Sequence, residues 1–398
     1  MRRINLKKVQ TARLATIRDI NRQIVLNYVR EREPISRATI AKETALQRST
    51  VSAIVDSLQN EGLIEEVGAG ESTGGRRPTL LKLRTAGAIA IGVSVTPSQV
   101  KIATCDLAGR ILRKHEFPID PNSDVTLQQI IDSINHFRTH DGAAIESVGV
   151  SLPGLIDPST GTAIYVPYFH WRDLPVAKII SAATSLPVTI DNDANAMALA
   201  ELWFGRPEAT DARDFIVILV AEGVGTGIII DGQVYRGERG AAGEFGHMIV
   251  GTDAPVACSC GNYDCWEAFS SERAAVARYN RLTNAGGDGP NVDFAGLIDR
   301  ALADEAEAKQ VLAENARYLG IGISNLVVGF SPEVVIVGGQ IARAWSMIEE
   351  ALGETIERSV RRGLPSARIL ASTLDREPTL MGALSLVLAS KFAAAFAA

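Results

Sequence analysis

The sequence predicts an α/β protein in two parts: a winged helix-turn-helix over residues 1–84, then a duplicated body of two α/β lobes facing a cleft. Three observations predict it. Residues 1–84 hold 16 Lys and Arg against 9 Asp and Glu, while the remaining 314 residues carry 24 against 37. A basic arm on an acidic body is the pattern of a chain in which the arm alone meets a polyanion. The body then spells one order twice: three strands, helix, strand, helix. Finally, three of the four cysteines crowd into Cys258-Ser-Cys260-Gly-Asn-Tyr-Asp-Cys265, shortly after His247.

The length of 398 residues exceeds what one core supports, and 46% apolar with 22% charged residues describes an ordinary globular protein. The apolar stretch from Phe215 to Ile230 is broken by Glu222 and by glycines, so it is too short and too interrupted to span a bilayer. Met1 to Arg13 has no apolar region of the kind a secretory leader carries. The cytoplasm is therefore the expected compartment.

In the arm, Ile17, Ile20, Ile24 and Tyr28 recur at helical spacing and predict an amphipathic helix over about 17–32, ended by Pro34. Ser36 is placed to cap a short helix, Arg37 to Glu43. After the turn Thr44-Ala45-Leu46, a third helix runs from Arg48 to Leu58, with Val51, Ile54, Val55 and Leu58 inward. That leaves Gln47, Arg48, Ser49, Thr50 and Ser52 outward near the helix start, short polar groups and one cation suited to base edges and phosphates in a major groove. A strand begins at Gly62-Leu63-Ile64, turns through Glu71 to Pro78 and returns over Thr79 to Arg84. Arg76 and Arg77 sit at the tip of this wing, where a glycine-flanked loop can enter a minor groove. The competing reading is a small helical protein-interaction module with solvated charges. Three helices in this order plus a basic wing favour double-stranded DNA.

The first lobe is expected over 85–200, with strands Ala88 to Val95, Val100 to Asp106 and Ile111 to Phe117, a helix near 125–138 and a strand Ser147 to Ser151. The second, over 201–378, repeats the order. It has strands near 215–221 and 226–230 around a turn at Asp231-Gly232, helices near 307–329 and 342–360, and a buried strand Val334 to Val337. A terminal helix from about 379 is expected to pack back on the first lobe.

One imidazole and three thiolates are the complete ligand set of a closed structural zinc site, here His247, Cys258, Cys260 and Cys265. The alternative is a disulfide with a spare thiol, but a bridge between Cys258 and Cys260 would be badly strained. Glu244, His247 and Glu267 flank this loop in otherwise apolar or glycine-rich sequence, so a metal that folds the loop would also fix those polar groups.

Several segments together resemble the ROK family of repressors, open reading frames and kinases. Cys258-x-Cys260-Gly261 followed by Cys265 and Glu267 is similar to its cysteine signature, although Asp264 stands where the family usually has Gly. The segment from Val188 to Asn195 resembles its sugar-binding Asn-Asp stretch, and Ser151-Leu-Pro-Gly154 its Pro-Gly turn beside the sugar. The resemblance covers nearly the whole chain and implies an actin-like ATPase fold in the body, with a winged-helix arm as in the repressor branch, xylose-repressor-like. It implies a monosaccharide held by Gly154, Asn192, Asp193, Glu244, His247 and Glu267. Physically that set is apt: carboxylates accept from sugar hydroxyls, and Asn192 both donates and accepts. Taken singly, Asn192-Asp193 also reads as a helix cap and Glu267 as a solvated first-turn residue.

The family's kinases hold metal and phosphates with Asp-x-Gly-Gly-Thr in the first hairpin. Here Ser94-Val95-Thr96-Pro97-Ser98 replaces it, with no carboxylate and with a proline that lacks an N–H. A second loop, usually Gly-Thr-Gly-x-Gly, reads Ala221-Glu222-Gly223-Val224-Gly225, placing an acid where a hydroxyl would bond phosphate. One added charge about 4 Å from a phosphate costs roughly 4 kcal/mol at an effective dielectric near 20. Asp193, the kinases' general base by resemblance, becomes a sugar-hydroxyl acceptor. The expectation is thus a non-enzymatic, sugar-responsive regulator, a repressor that binds a palindromic operator as a homodimer or a dimer of dimers. The alternatives are an ATP-dependent sugar kinase with an appended DNA-binding arm, and a body that binds a protein partner.

Overall fold

The computed structural model describes residues 14–70, 77–85, 89–140, 145–283, 292–360, 362–374 and 377–392. Contacts divide the chain into two compact units. One comprises the described parts of Met1–Ala88, Cys105–Arg110 and Leu388–Ala398; the other comprises Ile89–Thr104 and Ile111–Val387.

The first unit is built from α1 (Leu14–Arg32), β1 (Ile35–Ser36), α2 (Arg37–Thr44), α3 (Arg48–Asn60), β2 (Ile64–Ala69) and β3 (Thr79–Leu83). Ser36 caps α2 as expected, its Oγ accepting from the Thr39 N–H at 3.1 Å. Ala45 then turns the chain in the left-handed region, φ 57°, and α3 begins two residues later. The antiparallel pair β2–β3 is the wing, and β1 joins the far side of β3, a third strand that sequence periodicity does not reveal. Val51, Val55 and Leu58 are fully buried as expected, whereas Ile54 is only half-buried. The stripe expected of α1 is corrected: Ile17 and Ile24 are exposed, and Val25, Leu26 and Val29 form the buried face instead. Both faces of this helix carry β-branched residues, so spacing alone does not choose between them. Phe392 also belongs here, its carbonyl accepting from Asn27 Nδ2 at 2.8 Å and its ring lying 4.9 Å from the Arg30 guanidinium.

The second unit holds two five-stranded sheets of matching topology. The first uses β4 (Ala90–Val95), β5 (Gln99–Cys105), β6 (Ile111–Pro118), then α4 (Ser123–His140) and β7 (Ser147–Leu152). A small meander follows, β8 (Leu155–Asp157), β9 (Thr162–Val166) and β10 (Trp171–Leu174), and then α5 (Val176–Thr184) and β11 (Val188–Asn192). Next come α6 (Asp193–Phe204), α7 (Pro207–Thr210), β12 (Phe215–Val220), β13 (Val224–Ile230) and β14 (Gln233–Val234). The chain ends with α8 (Trp266–Ser270), α9 (Glu272–Thr283), α10 (Phe294–Leu302), α11 (Ala306–Phe330), β15 (Val334–Gly339), α12 (Trp345–Ser359), β16 (Arg368–Ala371) and α13 (Pro378–Phe392). Strand order is β11-β7-β4-β5-β6 in one sheet and β16-β15-β12-β13-β14 in the other, the same path traced twice. The duplication expected from the sequence is therefore a duplication of topology.

Burial explains the apolar runs. All six residues of β12 and of β4 are buried, as sheets covered on both faces require. The second sheet packs on α11 through Leu319, Ile323 and Leu326, in a core that also takes Trp266 and Tyr279. The first is backed by α13, where Leu384 fits against Gly92 so closely that a Cβ there would stand 2.7 Å from its Cγ.

Candidate sugar pocket and metal centre

Parallel strands deliver their C-terminal ends to one place, where ligands of α/β sheets gather. β7 leads into Pro153-Gly154, and its neighbour β11 ends on Asn192 with Asp193 opening α6. Gly154 has φ +90°, and a Cβ there would lie 2.4 Å from the Tyr165 carbonyl, so only glycine allows this turn. From the other lobe come the β12–β13 turn, the single helical turn Glu244–His247, and Glu267 in α8. Gly154, Asn192, Asp193, Glu244, His247 and Glu267 all line one cavity.

Asn192 is more committed than the sequence suggests. Its Oδ1 accepts from the Ala194 and Asn195 N–H groups at 2.9 and 3.2 Å, and its Nδ2 donates to the Gly154 carbonyl at 3.1 Å. It caps α6 and ties the two strand ends together. Asp193 is left facing the cavity, and desolvation pushes its carboxyl up to about 7, with Glu244 and Glu222 adding repulsion. Desolvation likewise raises Glu222 and Glu244 above the ordinary carboxylate range. Beside the pocket, Asp191 of the first lobe is almost wholly buried and makes a two-pronged ion pair with Arg236 of the second, at 2.7 and 2.8 Å.

Glu267 is not the solvated residue that its first-turn position would allow; it is 4% exposed. Its Oε1 accepts from Ser259 N at 3.1 Å and Ser259 Oγ at 2.7 Å, and stands 3.3 Å from Cys258 Sγ. Three further lining residues escape the sequence reading as parts of a sugar site. They are Tyr168, from the short helix after β9, Ser259, between two of the cysteines, and Glu222, in the turn between β12 and β13. Only Glu222 carried a signal, as the acid in a loop otherwise built of small residues.

The four candidate metal ligands converge. One ligand atom from each of His247, Cys258, Cys260 and Cys265 lies within 4.8 Å of every other. Cys258 and Cys260 sulfurs are 3.3 Å apart, Cys260 and Cys265 3.9 Å, and His247 Nδ1 is 3.3 Å from Cys258 Sγ. A tetrahedral ion with bonds near 2.3 Å needs edges of about 3.8 Å, so the cluster has the size of a zinc site. All four cysteines are free thiols. Burial pushes the Cys258 and Cys265 thiols up, an effect that a bound cation reverses. His247 Nε2 points away from the sulfurs to Glu244, 3.4 Å distant.

On the DNA-facing candidates, Gln47, Arg48 and Ser49 are exposed while Thr50 and Ser52 are half-buried at the start of α3. Gln47 occupies the cap position without a side-chain cap bond, so the first N–H groups of α3 keep their affinity for an anion. Arg77 is exposed at the foot of the wing; Arg76 lies outside the described residues.

Comparison with known proteins places this geometry. The ROK family model matches residues 88–390, and the MarR family model matches residues 24–77. The xylose repressor of Bacillus spizizenii is 31% identical over 377 residues, spanning 94% of this chain and 96% of the relative. A solved ROK family transcriptional regulator, a homologue of the Escherichia coli MLC protein, superposes with a TM-score of 0.79 at 26% identity, covering 95% of this chain and 97% of that one. A ROK family glucokinase from Streptomyces griseus, solved with glucose and AMPPNP, matches at 30% identity and a TM-score of 0.68, but over only 75% of this chain, against 98% of its own. Among the described residues no helix is long and apolar enough to cross a membrane. A mixed α/β body of actin-like kinase fold behind a MarR-type winged helix, matched by its family model from residue 88 to residue 390, makes this chain a member of the ROK family.

Proposed function

We propose that this protein is a sugar-responsive transcriptional repressor of carbohydrate-utilisation genes, acting in the cytoplasm and released from its operator by a monosaccharide. The observation that carries the reading is the convergence of Asp193, Glu244 and Glu267 in one cavity beside a His/Cys cluster, on a chain that begins with a winged helix. The repressor relative, aligned along nearly its whole length, supports it. The division of labour is residues 1–84 for DNA, 85–200 with the terminal helix for one lobe, and 201–378 for the other.

In this reading a structural zinc on His247, Cys258, Cys260 and Cys265 stiffens the loop that carries Glu267 and Ser259. His247 binds the ion through Nδ1 and leaves Nε2 on the pocket side. Asp193, Glu244 and Glu267 accept from sugar hydroxyls. Gln47, Arg48, Ser49, Thr50 and Ser52 read a major groove, and Arg76 and Arg77 carry the wing into a minor groove. A homodimer, or a dimer of such dimers, sets two arms on a palindromic site, since one winged helix reads only a few base pairs. Sugar between the lobes favours a different lobe angle and so a different arm spacing.

The test is a gel shift across a sugar titration. Asp193→Asn and Glu244→Gln are expected to keep operator binding and lose most of the sugar response. A wild-type response in both variants would overturn the pocket assignment. The kinase alternative draws on the glucokinase likeness. It is opposed by Pro97 and Glu222 in the two phosphate loops, and a coupled ADP-release assay over the same sugars decides it.

A further inference from the structure

Resting on the sugar-pocket reading above, we infer that this pocket admits only unphosphorylated sugars, and that Glu222 is the residue that turns a phosphate ester away. The composition of the wall comes first. Among the described residues no lysine or arginine lines the cavity, while Asp193, Glu222, Glu244 and Glu267 all do. Phosphate recognition needs cations or a nest of free N–H donors. Ionised carboxylates offer acceptors only, which suits hydroxyl groups, since each brings its own proton.

The loop that bears Glu222 does not present all its N–H groups: the Ala221 N–H turns back to the Gly223 carbonyl at 2.9 Å, and Pro97, which also lines the cavity, has no N–H. Arg273, which stands beside Glu267, is already engaged. Its Nε donates to the Glu222 carbonyl at 2.9 Å and its Nη2 to the Ala257 carbonyl at 3.4 Å, and it stands 3.7 Å from Glu267 Oε1. Arg273 thus braces the Glu222 loop from behind and is not itself part of the lining.

Glu222 is a fixed part of this wall, since its own backbone carbonyl accepts from Arg273 Nε, and the nearby Ser98 hydroxyl favours its charged form. Its charge is felt as far as Glu272, whose carboxyl is pushed up to about 8 by desolvation first and by Glu222 next. The same loop stands against Asp193: a Cβ on Gly225 would lie 3.9 Å from Asp193 Oδ1. A phosphate on the hydroxyl that faces Asp193 would enter the space between two acids.

The experiment is calorimetry on the full-length, metal-loaded protein with xylose, glucose, N-acetylglucosamine, glucose 6-phosphate and N-acetylglucosamine 6-phosphate. Each free hexose that binds is expected to bind tighter than its 6-phosphate by on the order of a hundredfold. In Glu222→Gln that ratio is expected to fall by about tenfold or more, and in Glu222→Asp, which keeps the charge, to stay high. Operator binding by each variant reports that it is folded. An ester that binds wild type as well as its parent sugar overturns the inference, as does a ratio unchanged in Glu222→Gln. If no sugar and no ester binds, the sugar pocket itself fails and the inference falls with it, an outcome distinct from the other two.

Discussion

Cys258 and Glu267 stand 3.3 Å apart, sulfur to carboxylate oxygen, so one contact joins the candidate metal loop to the wall of the candidate sugar pocket. Ser259, next to Cys258, donates to the same oxygen twice. Loss of the metal is thus expected to reach Glu267 through this contact, as it reaches Glu244 through the ligand His247.

Elemental analysis of protein purified without chelator should find one zinc per chain. Cys260→Ser is expected to lose it and to lower the melting temperature. Because Glu267 then loses its ordered partners, affinity for the sugar should drop in the same variant. A Cys260→Ser protein with full metal content and full sugar response would remove the structural role assigned to the loop.

Operator binding should weaken steeply with salt, since phosphate contacts release counterions. Arg77→Ala is expected to weaken all DNA sequences alike and to reduce the salt slope by about one. Arg48→Ala, at the exposed start of α3, should instead change sequence preference, costing about 1–3 kcal/mol at the base pair it contacts. Binding titrations on operator and scrambled DNA at several salt concentrations separate the two effects.

Much of this was legible in the sequence where the chemistry is local. Ser36 caps α2 because a cap needs only its own next three residues, and the cysteines converge because three of the four ligands come from one loop. Pairing between distant segments was not legible. The meander of β8, β9 and β10 has strands of three to five residues, too short to show periodicity, and Tyr168 reaches the pocket only through it. Asn192 shows a third limit. Its type suits both a cap and a sugar, and only the folded chain reveals that Oδ1 already carries two N–H groups.

Glu272 gives a pH signature. Its folded carboxyl is raised to about 8 from an ordinary 4.5, so the folded state favours the protonated form. The stability linked to this group is therefore present at low pH and is lost as pH rises from about 4.5 through about 8. Glu272→Gln should flatten that part of the melting-temperature profile and raise the melting point at pH 9 by at least about 2 °C. No gain at pH 9 would show that Glu272 is not held in a desolvated, repulsive setting.

The sharpest probe of the pocket adds a single methyl group. A Cβ on Gly223 would stand 2.4 Å from Glu267 Oε2 and 2.9 Å from the Tyr168 hydroxyl, closer than atoms tolerate. Glu267 cannot simply swing aside, because Ser259 holds its other oxygen with two hydrogen bonds. The turn lies on the cavity wall and not in the sheet core, so the fold should survive Gly223→Ala while Glu267 shifts. Sugar affinity is expected to fall by about tenfold or more, with operator binding retained and sugar-triggered release shifted to higher sugar concentration. Calorimetry with the cognate sugar and a gel-shift titration measure the two halves. Unchanged affinity in Gly223→Ala would mean that Glu267 does not touch the ligand, and the wall of the site would have to be redrawn around Asp193 and Glu244.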